Sequence, residues 1–305
     1  MSRSDLRIVY MGTPEFAVAG LAALVEGGYN VVAVVTMPDK PSGRGHHIQF
    51  SPVKEYALQH QLPILQPEKL KAEEFIAELR SYRADLQIVV AFRMLPEVVW
   101  AMPRLGTFNV HGSLLPQYRG AAPINWAIIN GEKETGLTSF MLRQDIDTGN
   151  MILQKRITVG EEEDVGSVHD RLMELSRAMV IETTDLIIDC DSKGIALPTT
   201  PQPEGIELRP APKIFKEDCE IRKDMTCEQV HNFVRGLSPY PCAWTTISAK
   251  GQTFINTKIY RVRPYAPSSH ETITLPCKDG AVEVVELQVP GKKRMDVKSF
   301  LNGLH

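Results

Sequence analysis

Cysteine is scarce in this chain, and the little there is does not pair. Five cysteines stand in 305 residues, at Cys190, Cys219, Cys227, Cys242 and Cys277. The number is odd and no C-x-x-C occurs, which argues against a disulfide framework and a thiolate zinc site. A reducing, cytoplasmic setting is expected. Long apolar runs are missing too: stretches such as Val31-Val32-Ala33-Val34-Val35 fall far short of the roughly 20 residues a membrane span needs. Met1 to Asp5 leads directly into a short apolar run, without the longer apolar core and cleavage site of a signal peptide. Net charge is small as well: 34 Lys+Arg against 37 Asp+Glu give -3. The whole-chain balance therefore does not announce a nucleic-acid partner.

Two phosphate-binding signatures are absent. A dinucleotide fingerprint needs glycine at positions 12, 14 and 17; the chain has Gly12, Pro14 and Ala17. Proline and alanine remove the close backbone approach that a pyrophosphate requires, so a nicotinamide enzyme is disfavoured. No G-x-x-x-x-G-K-[ST] occurs, which disfavours a P-loop. No internal repeat or low-complexity tract is present.

What is present reads as two globular domains, with 43% hydrophobic and 23% charged residues over a length suited to two. Short apolar runs alternate with helical stretches: strand Leu6 to Met11, helix Ala17 to Glu26, strand Asn30 to Thr36, helix Ala72 to Tyr82, strand Asp85 to Phe92. Thr107 to His111 and Thr138 to Leu142 extend the pattern, which predicts a mostly parallel sheet covered by helices on both faces. Ser51-Pro52 marks a helix start, and Ser167 with Asp170 reads as a capping box opening a helix toward Ile188. From Asp189 to Pro212 prolines and glycines break up regular structure and favour an extended connector. Beyond it, helix Thr226 to Arg235 precedes strands Ala243 to Ser248, Thr253 to Arg261 and Ala281 to Gln288, which suggest a small β-barrel or sandwich. The expected divisions are 1–189, a linker at 190–208, and 209–305.

Charge divides along the same line. Residues 206–305 hold 15 Lys+Arg against 11 Asp+Glu, or +4, so the rest of the chain carries −7. Lys292-Lys293-Arg294 lies close to Lys298, with Arg261 and Arg263 upstream. A solvated face explains such residues equally well, but the asymmetry makes a polyanion partner worth testing.

The chemistry-bearing residues gather in three places. In Phe108-Asn109-Val110-His111-Gly112-Ser113-Leu114-Leu115-Pro116, Asn109 and His111 lie two apart on one strand and so project from the same face. They stand at the strand's C-terminal end, where open parallel sheets place their ligands. An amide donor beside an imidazole suits a carbonyl oxygen that is becoming tetrahedral, and the histidine can move a proton near neutral pH. A histidine packed in a core is the plain alternative. Asp145-Ile146-Asp147-Thr148-Gly149 forms an acidic loop; an aspartate near His111 would orient it, although an ordinary turn accounts for the same residues. Asp-Thr-Gly also occurs in aspartic proteases, but those pair two such motifs in an all-β fold. Pro38 to His47 is glycine-rich and basic, and Lys40, Arg44 and His46 could meet phosphates there. His46-His47 is an isolated pair, and no metal site is expected.

Six segments carry a resemblance to the methionyl-tRNA formyltransferase family, and together they span nearly the whole chain. They are Met11-Gly12-Thr13-Pro14-Glu15-Phe16-Ala17-Val18, Pro38 to Gly45, Asn109 to Pro116, Arg119-Gly120-Ala121-Ala122-Pro123-Ile124, Asp147-Thr148-Gly149, and Gly291-Lys292-Lys293-Arg294-Met295. Asn-x-His with Ser-Leu-Leu-Pro and a later Asp marks the wider formyltransferase superfamily. The Arg-Gly-Ala-Ala-Pro run, the Gly-Arg-Gly loop and the basic C-terminal segment narrow it to the tRNA enzymes. The resemblance implies a Rossmann-like front domain binding 10-formyltetrahydrofolate as formyl donor, without a metal. It also implies an OB-like C-terminal β-barrel that docks initiator methionyl-tRNA, and a monomer is the expected state. By that likeness Asn109, His111 and Asp147 are the catalytic three. Phe92, Arg93, Met94, Leu95, Ser113, Leu114, Leu115, Pro116 and Asp145 would line the folate site. Lys40, Arg44, His46, Lys292, Lys293 and Arg294 would meet the tRNA.

The chain departs from the family in two strips. Ala91-Phe92-Arg93-Met94-Leu95-Pro96 is a residue shorter than the usual Ala-Tyr-Gly segment, and Arg93 is nearer the glycinamide ribonucleotide enzyme's pattern. In Ser238-Pro239-Tyr240-Pro241-Cys242-Ala243-Trp244 a cysteine replaces glycine, and a cysteine does not easily take the positive φ of that turn. Formyl transfer to another amine, such as an amino-sugar nucleotide, and tRNA binding without catalysis are the competing readings.

Overall fold

The computed structural model describes residues 2–42, 47–264 and 271–304. In chain order it runs β1 (Arg7–Met11), α1 (Glu15–Glu26), β2 (Asn30–Val35) and a small hairpin of β3 (Lys40–Ser42) and β4 (His47–Gln49). Next come α2 (Pro52–Gln59), β5 (Ile64–Leu65), α3 (Glu73–Ser81), β6 (Leu86–Val90) and the one-turn α4 (Glu97–Trp100). β7 (Thr107–His111), α5 (Pro123–Ile129), β8 (Glu134–Met141), β9 (Met151–Thr158) and the long α6 (Val165–Lys193) follow. The chain divides into two compact units. The first is 1–119, 136–156 and 170–209; the second is 120–135, 157–169 and 210–305.

The main sheet has the order β5-β2-β1-β6-β7-β8-β9. Its first five strands are parallel, and β8 joins β7 antiparallel. Alternation along β1 explains why helices cover both faces. Val9 and Met11 pack with Val35, Val89, Phe75 of α3 and Val99 of α4. Tyr10 points the other way, toward α1: its hydroxyl donates to the Ala17 carbonyl at 2.6 Å, and a Cβ at Gly20 would lie within 2.9 Å of both Tyr10 and Val180 of α6. Each fully buried side chain of this kind contributes roughly 1.5–3 kcal/mol.

Local signals set the helix ends. Ser51 caps α2, accepting the Lys54 N–H at 3.1 Å, with Pro52 in the first position. α6 begins earlier than its Ser167 suggested. Asp164 accepts the Ser167 N–H at 2.9 Å, so the aspartate is the cap and Ser167 lies inside the helix, its hydroxyl on Glu163 at 3.0 Å. The helix then runs to Lys193, five residues beyond Ile188.

After α6 the proline-rich stretch is not a free connector. Thr200 and Met151 exchange backbone hydrogen bonds of 2.8 Å, Asn150 Nδ2 donates to Thr199 Oγ1 at 3.2 Å, and Gln117 Nε2 donates to the Glu207 carbonyl at 2.9 Å. Proline denies this segment regular structure, yet the residues between prolines still pair with their neighbours.

The second unit is built round α7 (Cys227–Leu237), β10 (Ala243–Ala249), β11 (Gln252–Pro264), β12 (Thr274–Cys277), β13 (Gly280–Gln288), β14 (Met295–Asp296) and α8 (Val297–Asn302). Thr226 and Gln229 form a reciprocal capping box at the start of α7. The strands make an antiparallel half-barrel of order β10-β11-β13-β12, with β14 on β13. Val230, Val234 and Leu237 of α7 pack on Ile247, Ile259 and Leu287 of the sheet. α5 belongs to this unit and closes on α7 at Gly236, where a Cβ would come within 2.6 Å of Ile129. Asn125 Nδ2 reaches the Gly236 carbonyl at 2.9 Å.

Cys242 overturns one sequence expectation. It takes φ 76° despite its side chain, a conformation that costs a non-glycine residue about 1–3 kcal/mol. Its N–H bonds the Leu237 carbonyl at 2.8 Å and its thiol donates to the Ile259 carbonyl at 3.5 Å, so surrounding contacts impose the turn.

Candidate functional site

β7 carries two of the three expected catalytic side chains because its pleat puts Asn109 and His111 on one face. The strand lies between parallel β6 and antiparallel β8, opposite Val89 and Phe140 at Asn109. Its C-terminal end opens where the chain turns away through Gly112 toward a buried loop. The Asn109 carboxamide has no hydrogen bond among the described residues, and its Oδ1 is buried. A buried, unpaired amide costs about 1–3 kcal/mol, and a half-turn about its last bond exchanges oxygen for N–H. Such a group is poised to meet a polar atom from outside the protein.

His111 is 7% exposed, and its ring is fixed. Nε2 lies 2.8 Å from the Tyr118 carbonyl. A carbonyl only accepts, so Nε2 carries a proton, and in the neutral ring Nδ1 is the nitrogen with the lone pair. Nδ1 faces the Asp147 carboxylate, whose Oδ2 is 3.8 Å away and whose side chain is 11% exposed. That separation is too long for a hydrogen bond but short enough for a proton arriving on Nδ1 to be stabilised by the carboxylate.

Asp147 occupies a tight loop at φ 54°. Thr148 Oγ1 donates to the Asp145 carbonyl at 3.1 Å within it. Gly149 follows because nothing larger fits: a Cβ there would lie 1.6 Å from the Met141 carbonyl oxygen. Asp145 itself is exposed.

The expected folate residues fall into two groups. Phe92, Arg93, Met94 and Leu95 form the loop after β6, and an open groove is lined by Arg93, Met94, Leu95, Lys71, Trp100 and Gln144. Arg93 is anchored: it donates to the carbonyls of Glu68, at 2.9 Å, and Pro67, and its guanidinium sits 5.6 Å from the Phe92 ring centroid. Its Nε is buried with no hydrogen-bond partner among the described residues, and burial pulls the guanidinium below its ordinary pKa. Ser113, Leu115 and Pro116 instead face inward. Ser113 Oγ donates to the Gln117 carbonyl at 2.6 Å, and the Leu115 N–H to Thr138 Oγ1 at 3.1 Å. Leu114 is half-buried, near Gly136. This second group shapes the turn behind His111.

Of the expected tRNA contacts, Arg44, His46 and the side chain of Lys40 lie outside the described residues. The base of their loop is held by Asp39, which accepts from Lys54 at 2.5 Å and Gln66 at 2.8 Å; both bonds keep its carboxyl below the usual range. Lys292 and Lys293 are exposed and have no ion pair among the described residues. Arg294 differs: it grips Glu286 with two bonds of 2.7 Å and stacks 4.2 Å over the Tyr260 ring. Its charge is met by Glu286 on the surface of the half-barrel. Lys258 and Arg261 lie outward on β11.

Sequence reasoning overlooked Tyr118 and Gln202, and saw Arg119 only as part of a motif. Gln202 is 8% exposed and sits between Pro201 and Pro203. A position named for its prolines gives no hint of a buried glutamine; only the register of Thr200 on Met151 brings it to the loop.

An unpaired amide and an imidazole thus stand at the end of a parallel strand, with a carboxylate from a nearby loop facing the imidazole. The formyl transferase model matches residues 6–184, and the formyl transferase C-terminal domain model matches 213–305. The methionyl-tRNA formyltransferase of Bacteroides fragilis is 57% identical, covering 100% of this chain and 97% of its own, and that of Bacteroides thetaiotaomicron is 55% identical over 99% and 97%. The chain belongs to the methionyl-tRNA formyltransferase family. Among solved structures, the sugar 3N-formyl transferase WlaRD has a TM-score of 0.65 at 16% identity, covering 94% of this chain and 99% of that one. HypX from Aquifex aeolicus in complex with tetrahydrofolic acid has a TM-score of 0.63 at 17% identity. That match covers 98% of this chain but only 47% of HypX. At such identities the two share the fold.

Proposed function

We propose that the protein transfers a formyl group from 10-formyltetrahydrofolate to the free amino group of initiator methionyl-tRNA, working without a metal as a cytoplasmic monomer. The observation that carries this reading is the pairing of an unpartnered Asn109 amide with a His111 whose Nδ1 is left free beside Asp147. The methionine amine adds to the formyl carbon, and the C–N bond to the donor then breaks. Asn109 donates its Nδ2–H to the formyl oxygen as that oxygen gains charge; donors in such positions are worth about 3–4 kcal/mol. His111 Nδ1 accepts the proton that the attacking amine must lose, and Asp147 stabilises the imidazolium that results. The same proton then serves the departing nitrogen, so the cycle ends with His111 neutral. The groove along Arg93 to Leu95, reaching Gln144, receives the folate. Lys292 and Lys293, with the loop around Arg44, meet the tRNA phosphates, so the first unit does the chemistry and the second docks the RNA.

The test is transfer of label from formyl-labelled folate to charged initiator tRNA, with free amino-sugar nucleotides as competing acceptors and Asn109→Ala as control. Label on the methionine, lost in the variant, is the expected result. Label only on the small amine, or none, overturns the reading.

A further inference from the structure

His111 ends β7 and Asp147 lies in a loop 36 residues further on, yet their side chains stop 3.8 Å from each other. Something must hold the strand end and the loop together, and the hydrogen bonds identify it. Tyr118 gives its carbonyl to His111 Nε2. The next residue, Arg119, donates from Nε and Nη2 to Gln202 Oε1 at 3.2 and 2.7 Å. Gln202 Nε2 in turn donates to the carbonyls of Asp147 at 2.7 Å and Gly149 at 2.9 Å. Arginine only donates and backbone carbonyls only accept, so the orientation of this amide is forced. The bonds run in one chain from His111 through Tyr118, Arg119 and Gln202 to the Asp147 carbonyl, and bring the Asp147 carboxylate back to 3.8 Å from His111, a gap no hydrogen bond spans. Two of the residues so linked, Tyr118 at φ 59° and Asp147 at φ 54°, hold left-handed backbone that favours glycine. Such conformations persist only where neighbours over-determine them.

From this chain of bonds we infer that Gln202 is a positioning residue for the transfer reaction: its side-chain amide sets where Asp147 stands relative to His111 Nδ1. The inference rests on the proposed formyl transfer. Gln202 touches no reacting atom; its amide N–H group is needed for the Asp147 carbonyl and its oxygen for Arg119. Only glutamine offers both at this reach. Glutamate keeps the size and the acceptor for Arg119, but turns an acceptor oxygen on the two loop carbonyls.

The decisive experiment compares the wild-type full chain with Gln202→Glu and Arg119→Lys in formylation of methionyl-tRNA, together with 15N-imidazole NMR of His111. In Gln202→Glu, kcat falls by about 10- to 100-fold, the scale expected for a misplaced group, while KM for both substrates stays within about twofold. The His111 Nδ1 resonance titrates differently as the carboxylate shifts. Arg119→Lys, which leaves the loop bonds of Gln202 in place but loosens their anchor, shows a smaller fall in kcat alone. An unchanged kcat and an unchanged His111 titration in Gln202→Glu overturn the inference, as does a loss confined to KM. Should Gln202→Glu fail to fold, Arg119→Lys decides by the same two readouts. Absence of formyl transfer by the wild type would instead count against the proposed reaction and leave the NMR comparison to judge Gln202.

Discussion

The Tyr118 carbonyl takes the proton-bearing Nε2 of His111 at 2.8 Å, which turns the basic nitrogen of the ring toward Asp147. A backbone group therefore selects the tautomer of the neutral ring, with the carboxylate facing its basic nitrogen.

Asn109→Ala separates chemistry from folding. Removing the donor should lower kcat by roughly 10²- to 10³-fold. Because Oδ1 is already buried and unpaired, its removal leaves the melting temperature unchanged or slightly higher. Steady-state kinetics and thermal melts on the same preparation check both halves; a clear fall in Tm would contradict the account.

Gly149→Ala tests the loop. A methyl group 1.6 Å from the Met141 carbonyl cannot be accommodated without moving the backbone. A destabilisation of about 1–3 kcal/mol or more is expected, with Asp147 displaced and activity lost. Denaturant unfolding measures the first, and a variant as stable as wild type would refute the close approach.

The cations of the second unit should not be equivalent. Lys292→Gln with Lys293→Gln weakens tRNA binding and lowers the slope of log affinity against log salt by about one per residue. Arg294→Gln leaves Glu286 and Tyr260 without their partner, so its main effect is on stability. Filter binding at several salt concentrations, beside thermal melts, separates the two.

Acid should weaken the half-barrel. Arg263 holds Glu283, and Arg294 holds Glu286, below the ordinary carboxyl value of 4.5. A carboxylate with a depressed folded pKa stabilises at pH above its unfolded value. That contribution disappears as pH falls from about 4.5 through the folded pKa. Glu286→Gln removes one such group, so its stability should vary less with pH across that window; an identical acid limb would argue against the pairing.

Thiol reagents should distinguish native from unfolded protein. Burial pushes the Cys242 thiol up to about 11, and burial with Cys277 and Asp279 alongside pushes Cys227 up to about 12. At pH 8 both should label slowly in the native state and rapidly in denaturant. Mass-spectrometric mapping of the labelled sites reports this directly.

Much of the architecture could be read from residues alone. Thr107 to His111 is a strand with the bounds expected, and valine-rich β2 and the Ser51-Pro52 helix start follow from side-chain shape and capping. Short or irregular elements escaped. β9 has half-exposed residues in weak alternation, and the two residues of β5 carry no period. The start of α6 was misread because Asp164 and Ser167 are both good caps, and only geometry tells which one accepts the bond. Asn109, His111 and Asp147 were visible as residue types at suggestive spacing. Tyr118 was not, because its role belongs to a carbonyl that every residue possesses. Gln202 was hidden because its partners lie 53 to 83 residues away.

The stitched segment after α6 has a consequence for how the enzyme comes into being. The frame round His111 is drawn from positions 118, 119, 147, 149 and 202, and Arg209 caps it by accepting the Tyr118 N–H at 2.7 Å. During synthesis the bonds that Gln202 and Arg209 make to the loops at 147–149 and 118 cannot form until the chain has reached Arg209, sixteen residues past the end of α6. A fragment cut at the end of the helix lacks every one of those bonds. A piece that retains all of them ends no earlier than Arg209.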